Sequence, residues 1–277
     1  MGGTMTSSTL RLALPGDSPP NVIHLSDLHL RDATTLRNAQ RLVDHIAWRF
    51  RNTPTLVVLT GDIIDTPDPG LWTQAETLLR PLRAANIPVV ACPGNHDVAW
   101  MGLVGRERYR TMALQWLAQS AGAPPPELSW PRVYRAASLS LILCDSNQGH
   151  NKLATGQLGY PQRMALALAC QSASERGDQV IVALHHHPMS DDPSLRLKDA
   201  DALLHLLSSR CDVLLCGHLH QAAAWSEVWG IRRVYAADAS TRSLRYRHLW
   251  YDAGRWLSSW VHLNQALLPP YPSASSS

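Results

Sequence analysis

Short apolar runs alternate with stretches of helical periodicity along most of the chain. Val22–Ser26 reads as a first strand, after which Leu36, Ala39, Leu42, Val43, Ile46 and Ala47 recur at helical spacing. Leu56–Thr60 is an uninterrupted apolar run, as a strand buried on both faces requires. Leu71, Ala75, Leu78, Leu79 and Leu82 form the next amphipathic stretch, which Pro81 must shorten or kink. Val89–Ala91 reads as a short strand and Tyr109–Gln119 as a helix. Pro124-Pro125-Pro126 then breaks the pattern and opens a loop.

In the second half, Val133–Ala136 and Leu139–Asp145 read as an antiparallel pair across Ala137-Ser138. Gln162–Arg176 and Asp199–Ser209 read as helices, and Val180–Leu184 and Val213–Cys216 as strands. Ile231–Ala236, Arg247–Asp252 and Trp256–His262 read as three antiparallel strands, the last two joined around Ala253-Gly254. This order predicts an α/β fold whose sheet, or pair of sheets, is covered by helices. No polar linker separates the halves. Residues 21–263 therefore read as one domain, between a loose Ser/Thr/Pro/Gly-rich segment 1–20 and a Pro/Ser-rich tail 264–277.

Composition narrows the class. With 45% hydrophobic and 17% charged residues among 277, the chain is globular rather than disordered. A net charge of +3 excludes neither nucleic acid nor a membrane surface, but no basic run argues for either. No apolar run approaches the length of about 18 residues that a membrane span needs, and the N-terminus lacks the pattern of a secretory signal. A cytoplasmic protein without membrane insertion is expected. Five Cys, an odd number with no CxxC spacing, read as reduced and mostly buried thiols in a reducing compartment. The sequence says nothing of oligomeric state.

The thirteen His matter because they cluster with Asp and Asn. Asp27-Leu28-His29, Gly61–Asp65, Gly94–Asp97, His185–Pro188 and Gly217–His220 each follow an apolar strand. The crevice beyond strand C-termini is where open α/β sheets bind ligands. Carboxylate, amide oxygen and imidazole without thiolate suit Mn, Fe, Zn or Co. Asp27/His29 and His218/His220, each two residues apart, share one side of an extended segment. One Asp carboxylate can bridge two cations about 3.5–4 Å apart.

In this order and after these strands, DxH, GDxxD, GNHD, HHHP and GHxH resemble the motifs of the calcineurin-like metallophosphoesterase superfamily, over about residues 21–263. The resemblance implies a four-layer αββα fold, two packed mixed sheets flanked by helices, with two divalent transition-metal ions. One ion would be held by Asp27, His29, His220 and one oxygen of Asp62. The other would be held by the second oxygen of Asp62 with Asn95, His186 and His218. A hydroxide bridging the metals is the implied nucleophile. His96 takes the place of the family's catalytic histidine, and Asp65 is implied as its carboxylate partner, orienting it and raising its pKa. The ligand's place two residues before the proline selects His186, with strand alternation turning His185 and His187 away; His187 near the phosphate stays open.

Asp97 reads as a structural hydrogen-bonding residue, His24 as a core residue, and His45 and His205 as ordinary helix residues. Asp145-Ser146-Asn147 matches a loop that the family places near its site, leaving Asn147 and His150 as candidate substrate contacts. That loop, LHHHP and LCGHLHQ resemble most the bacterial class III cyclic-nucleotide phosphodiesterases, which implies a small phosphoester substrate such as a cyclic nucleotide. The intact GNHD argues against the lipid A-pathway pyrophosphatases, which usually carry Arg at the place of His96. A phosphomonoesterase or nucleotide pyrophosphatase of broad specificity is the rival enzyme. A metal-bound scaffold is the rival non-enzyme, disfavoured because no ligand position is substituted. Ala236–Arg247 matches nothing with confidence, and its Arg242, Arg245 and Arg247 read as solvated rather than phosphate-binding.

Overall fold

The computed structural model describes residues 9–99, 106–120, 130–148 and 154–263, the side chains of 106–108 and 118–120 excepted. Pro124–Pro126, Gly149, His150 and the tail from 264 lie outside the described residues. In chain order the elements are β1 (Thr9–Arg11), β2 (Asn21–Leu25), α1 (Ala33–Phe50), β3 (Thr55–Thr60), α2 (Pro69–Leu78), α3 (Arg80–Ala84) and β4 (Val89–Cys92). They continue with α4 (Asn95–Val98), α5 (Arg106–Ser120), β5 (Arg132–Ala136), β6 (Leu139–Leu143), α6 (Tyr160–Glu175), β7 (Gln179–Ala183) and α7 (Ala200–Leu207). The last are β8 (Val213–Cys216), β9 (Ala223–Val228), β10 (Ile231–Ala236), α8 (Ser240–Ser243), β11 (Arg245–Asp252) and β12 (Arg255–His262).

Local chemistry sets several boundaries. Asp32 caps α1 by accepting from the Thr34 and Thr35 amides at 2.9 and 2.8 Å, and the Thr35 hydroxyl takes the Asp32 amide in return. Pro81 does shorten the helix expected over residues 71–82: α2 stops at Leu78, and the proline sits in the first turn of α3, where its missing N–H costs nothing.

Two sheets form, of order β1-β5-β6-β7-β8-β10-β9 and β12-β11-β2-β3-β4. Alternation in the strands explains the layering. Val22, Leu56, Val58 and Val90 of the smaller sheet meet Leu139, Leu141, Leu143, Ile181, Val213 and Leu215 of the larger one in a core between the sheets. Ile23, Leu25, Val57 and Leu59 point the other way, onto Leu42, Val43 and Ile46 of α1. Val180, Val182 and Leu214 do the same against Leu166, Leu203 and Leu207 of α6 and α7. The outcome is helices, sheet, sheet, helices, the four-layer αββα arrangement. Strands buried on both faces are why the sequence runs read as continuously apolar.

Two expectations are corrected. The segment read as loose contains β1, which pairs in parallel with β5. β10 does not join β11 and β12; it runs parallel to β8 and antiparallel to β9, a strand the periodicity missed. All five Cys are free and buried. Among the described residues no helix is long and apolar enough to cross a membrane.

His24 stands in β2 with no exposed surface, its Nε2 2.9 Å from the Thr60 hydroxyl. Burial, then the positive charge of Arg247, pushes its pKa down to about 3. The unfolded chain binds a proton at His24 near pH 6.5 and the folded chain does not. This site therefore costs no stability above pH ~6.5 and removes about 1.4 kcal/mol per pH unit as pH falls from there towards ~3. His24→Gln, which keeps a partner for Thr60 but takes up no proton, is expected to flatten urea-measured stability against pH by about that slope between pH ~4 and ~6.

Candidate metal centre

The C-termini of β2, β3, β4, β7 and β8 open at one end of the seam between the sheets, and the polar clusters follow there. Four potential ligand atoms, from Asp27, His29, Asp62 and His220, lie within 4.8 Å of one another, and so do those of Asp62, His185 and His218. In the first group His29 Nε2 stands 3.0 Å from His220 Nε2, 3.7 Å from Asp62 Oδ2 and 4.0 Å from Asp27 Oδ1, which is 3.3 Å from His220 Nε2. In the second, His185 Nε2 stands 3.0 Å from Asn95 Oδ1, 3.1 Å from His218 Nδ1 and 3.3 Å from Asp62 Oδ2. Ligands about 2.1 Å from a cation are about 3.0–3.4 Å apart along the edges of an octahedron or tetrahedron. All three edges of the second group match that spacing, as do the two at His220 in the first; His29 stands wider, at 3.7 Å from Asp62 and 4.0 Å from Asp27.

The hydrogen-bond pattern fits as well. His29 Nδ1 donates to Asp65 Oδ1 at 3.0 Å, and His185 Nδ1 donates to the Thr60 carbonyl at 2.7 Å. Each outer hydrogen bond aims Nε2 into its cluster, the usual orientation of a metal-binding imidazole, and that nitrogen becomes a lone-pair donor when the ring gives up its second proton to a cation. Burial lowers the pKa of His185, but the charge and hydrogen bond of Asp62, then Asp27, overcome it and hold it up at about 9. Burial, then the nearby His185, holds His218 down at about 4. Burial works against the Asp27 and Asp62 carboxylates, yet the imidazoles around them keep both below the usual carboxylate range. Oxygen and imidazole donors converging in two groups are the donor set of a two-metal centre, and these residues could hold it.

Three expectations change in detail. His185, not His186, faces Asp62, Asn95 and His218. β7 ends at Ala183, so the alternation that was to turn His185 away no longer applies two residues further on. His186 is buried with Nδ1 2.7 Å from the Ser146 hydroxyl, while His187 accepts from the Met189 amide and packs edge-on to Trp225. Asp62 does not turn one oxygen to each cluster. Its Oδ2 faces both, and Oδ1 accepts from the His96 amide at 2.9 Å. Nor does the Asp65 carboxylate hydrogen-bond His96, although His29, Asp65 and His96 bring a ligand atom each within 4.8 Å: the carboxylate holds His29, and His96 Nδ1 donates to the Asp65 backbone carbonyl at 2.8 Å.

The surrounding loops are held by buried polar groups. Asp97 accepts from the amides of Ile63, Ile64 and Gly94 at 2.9, 3.1 and 2.8 Å, tying the loop after β3 to the loop after β4. Gly94 leaves no room for a Cβ, which would overlap Asp62. Asn147 donates to the Pro93 carbonyl at 2.9 Å, and Asp145 is held by Arg110 and by the Asn147 amide. The Asp145–Asn147 loop thus supports the site from below. Of the three arginines read as solvated, Arg247 is 4% exposed between the Tyr235 and Trp260 rings and Arg245 pairs with Asp238. Burial pulls the Arg247 pKa down to about 10.

A family model described as calcineurin-like phosphoesterase matches residues 20–222, and the chain belongs to that family. It is a metal-dependent phosphoesterase of the dinuclear kind. A protein of Moraxella catarrhalis named probable cyclic nucleotide phosphodiesterase is 27% identical over 217 residues, covering 73% of this chain and 71% of that one. A Rhodococcus erythropolis protein of the same name is 28% identical, over 72% of this chain and 64% of its own. A Mycobacterium tuberculosis protein named cAMP/cGMP dual specificity phosphodiesterase is 27% identical over 60% of this chain and 49% of its own. In fold, the chain is similar to a dimetal phosphatase from Danio rerio, with TM-score 0.66 at 16% identity over 88% of this chain and 96% of that one.

Two substitutions test the donor set. His185→Ala is expected to cut bound Mn²⁺, counted by elemental analysis after dialysis, to about one ion per chain or fewer, whereas His186→Ala keeps the wild-type content. Asp65→Asn, which weakens the hold on His29, is expected to lower Mn²⁺ affinity about 10- to 100-fold, the usual cost of losing a partner behind a ligand. Calorimetric titration measures it.

Proposed function

We propose that the chain is a phosphodiester hydrolase whose natural substrate is a 3′,5′-cyclic nucleotide, and that Asp27, His29, Asp62 and His220, with Asn95, His185 and His218, would hold two ions of Mn, Fe, Zn or Co. One observation carries this reading: the His96 ring, held by the Asp65 carbonyl, stands beside two donor clusters joined through one carboxylate oxygen. The names of the three relatives support the cyclic-nucleotide substrate, and the five buried free thiols accord with the cytoplasm. A bound metal pair supplies positive charge for the phosphate oxygens and lowers the pKa of the water it holds.

The chain's own groups do the rest. Asp27, His29 and His220 on one side, with Asn95, His185 and His218 on the other, set where the phosphate lies, and Asp62 fixes the distance between the halves. His96 packs edge-on to His29, ring centroids 4.8 Å apart. Because its Nδ1 proton is committed to Asp65, the nitrogen left for substrate is Nε2, which in the protonated ring donates to the leaving oxygen. In the hydrolysis a water oxygen joins phosphorus as the bond to the 3′ oxygen breaks, and that oxygen leaves as a hydroxyl with the proton from His96, giving a 5′-monophosphate. No base-reading motif is evident in the sequence, so discrimination falls mainly on the phosphate.

The test runs bis-p-nitrophenyl phosphate, p-nitrophenyl phosphate, cyclic AMP and cyclic GMP in parallel on Mn²⁺-loaded protein. Diester turnover is expected to exceed monoester turnover, and the two cyclic nucleotides to differ by less than about tenfold, or about 1.4 kcal/mol in barrier. Monoesters cleaved faster, with cyclic AMP untouched, would move the assignment to a phosphomonoesterase. His96→Ala is expected to keep its metal while kcat falls about 10²- to 10⁴-fold, less for p-nitrophenolate than for a poor leaving group. An equal loss for both leaves His96 only an electrostatic role.

A further inference from the structure

The stretch between β10 and β11 matched no motif, yet it touches the loop that carries Asp27 and His29. Ser240 and Thr241, 1% and 4% exposed, open α8 directly against residues 26–28. The Ser240 amide donates to the Ser26 carbonyl at 3.1 Å, and the Ser26 amide donates back to the Ser240 hydroxyl at 3.1 Å. The Thr241 hydroxyl donates to the Leu28 carbonyl at 2.8 Å, and Asn38 of α1 donates to the Thr241 carbonyl at 3.1 Å. The residues on either side of Asp27 are therefore both gripped through their backbone.

The grip falls where the backbone is least willing. Asp27 has φ 52° and His29 φ 44°, in the left-handed region that side chains with a Cβ disfavour. Such conformations persist only where surrounding contacts over-determine them. On one side the Asp27 and His29 amides donate to the Gly61 and Asp62 carbonyls at 3.0 and 2.9 Å. On the other stand Ser240 and Thr241. Gly217 closes the loop from a third direction, since a Cβ there would overlap Ser26 Oγ and Asp27 Oδ2. Asn95, His185 and His218 have no hydrogen bond to α8 among the described residues.

We propose that Ser240 and Thr241 are positioning residues for one of the two metal sites, the one formed by Asp27, His29, Asp62 and His220. They hold the Asp27–His29 loop in the left-handed path that turns its carboxylate and imidazole together towards His220 and Asp62. The proposal rests on the two-metal reading of the site and adds an asymmetry to it: the grip acts directly on one half, and on the other only through Asp27, whose carboxylate accepts from the His218 amide at 3.1 Å.

The experiment titrates Mn²⁺ into chelated wild type, Thr241→Val, Thr241→Ser and Ser240→Ala, with ion counting by elemental analysis. Electron paramagnetic resonance follows the coupling between paired ions. Wild type is expected to bind two ions. Thr241→Val, which keeps the shape and loses the hydroxyl, is expected to weaken one ion about 10-fold or more while the other holds, with loss of the coupled signal. Thr241→Ser restores both, and Ser240→Ala reproduces the loss in part. If Thr241→Val does not fold, Ser240→Ala carries the comparison alone. Two ions bound with wild-type affinity in the variants, or both ions weakened equally, would overturn the proposal while leaving the two-metal site standing. A wild type that binds fewer than two ions would overturn the site and the proposal together.

Discussion

The buried carbonyl of Thr60, at the end of β3, accepts a hydrogen bond from each sheet at the mouth of the seam. His185 Nδ1 reaches it from the larger sheet at 2.7 Å and the Ser26 hydroxyl from the smaller one at 3.2 Å. The bond from His185 fixes its tautomer and sends Nε2 towards Asp62 and Asn95. The bond from Ser26 steadies the loop that carries Asp27. If the sheets were displaced by an ångström along the seam, the clusters would lose the spacing that suits a cation, because ligands from both sheets share Asp62. The core of Leu56, Val58, Leu141, Ile181 and Leu215 between the sheets matters to the chemistry for that reason: it keeps the two strand ends in register.

Much of this was legible in the sequence. The layers followed from apolar strands alternating with helical periods, and the clusters after β2, β3, β4, β7 and β8 are the ones that converge. What was missed has separate physical causes. The family's ligand place two residues before the proline selected His186 instead of His185, and the strand alternation that was to turn His185 away does not apply because the strand ends before either residue. Asp65 was expected to orient His96 with its carboxylate, and it does so with its carbonyl. Thr60 likewise orients His185 through its backbone. A carbonyl acts the same in every residue type, so no side-chain pattern announces it. β1 and β9 escaped notice because short edge strands carry little periodicity, and β9 alternates half-buried with exposed positions as an edge strand does.

The two clusters also differ in their access to water. The His220 side chain is 39% exposed and that of His29 13%, whereas His185 and Asn95 are buried. Of the first cluster, His220 and to a lesser degree His29 therefore meet solvent first, while Asp27 and Asp62 lie buried behind them. The second is seated against the loops tied by Asp97 and Asn147, with Arg110 and Gln162 behind Asp145. A fold that builds one buried half and one accessible half can admit a phosphate from the open side without moving its core.

Because the donors are divided between two sheets, neither sheet carries a complete set by itself. Asp27, His29, Asp62 and Asn95 come from the smaller sheet, and His185, His218 and His220 from the larger. Any partial unfolding that releases one sheet dissolves both clusters at once. Metal occupancy is then linked to the whole fold rather than to a loop: each tenfold rise in free ion above a site's dissociation constant adds about 1.4 kcal/mol per site against global opening. The seam makes metal supply a determinant of how long the chain survives in the cell.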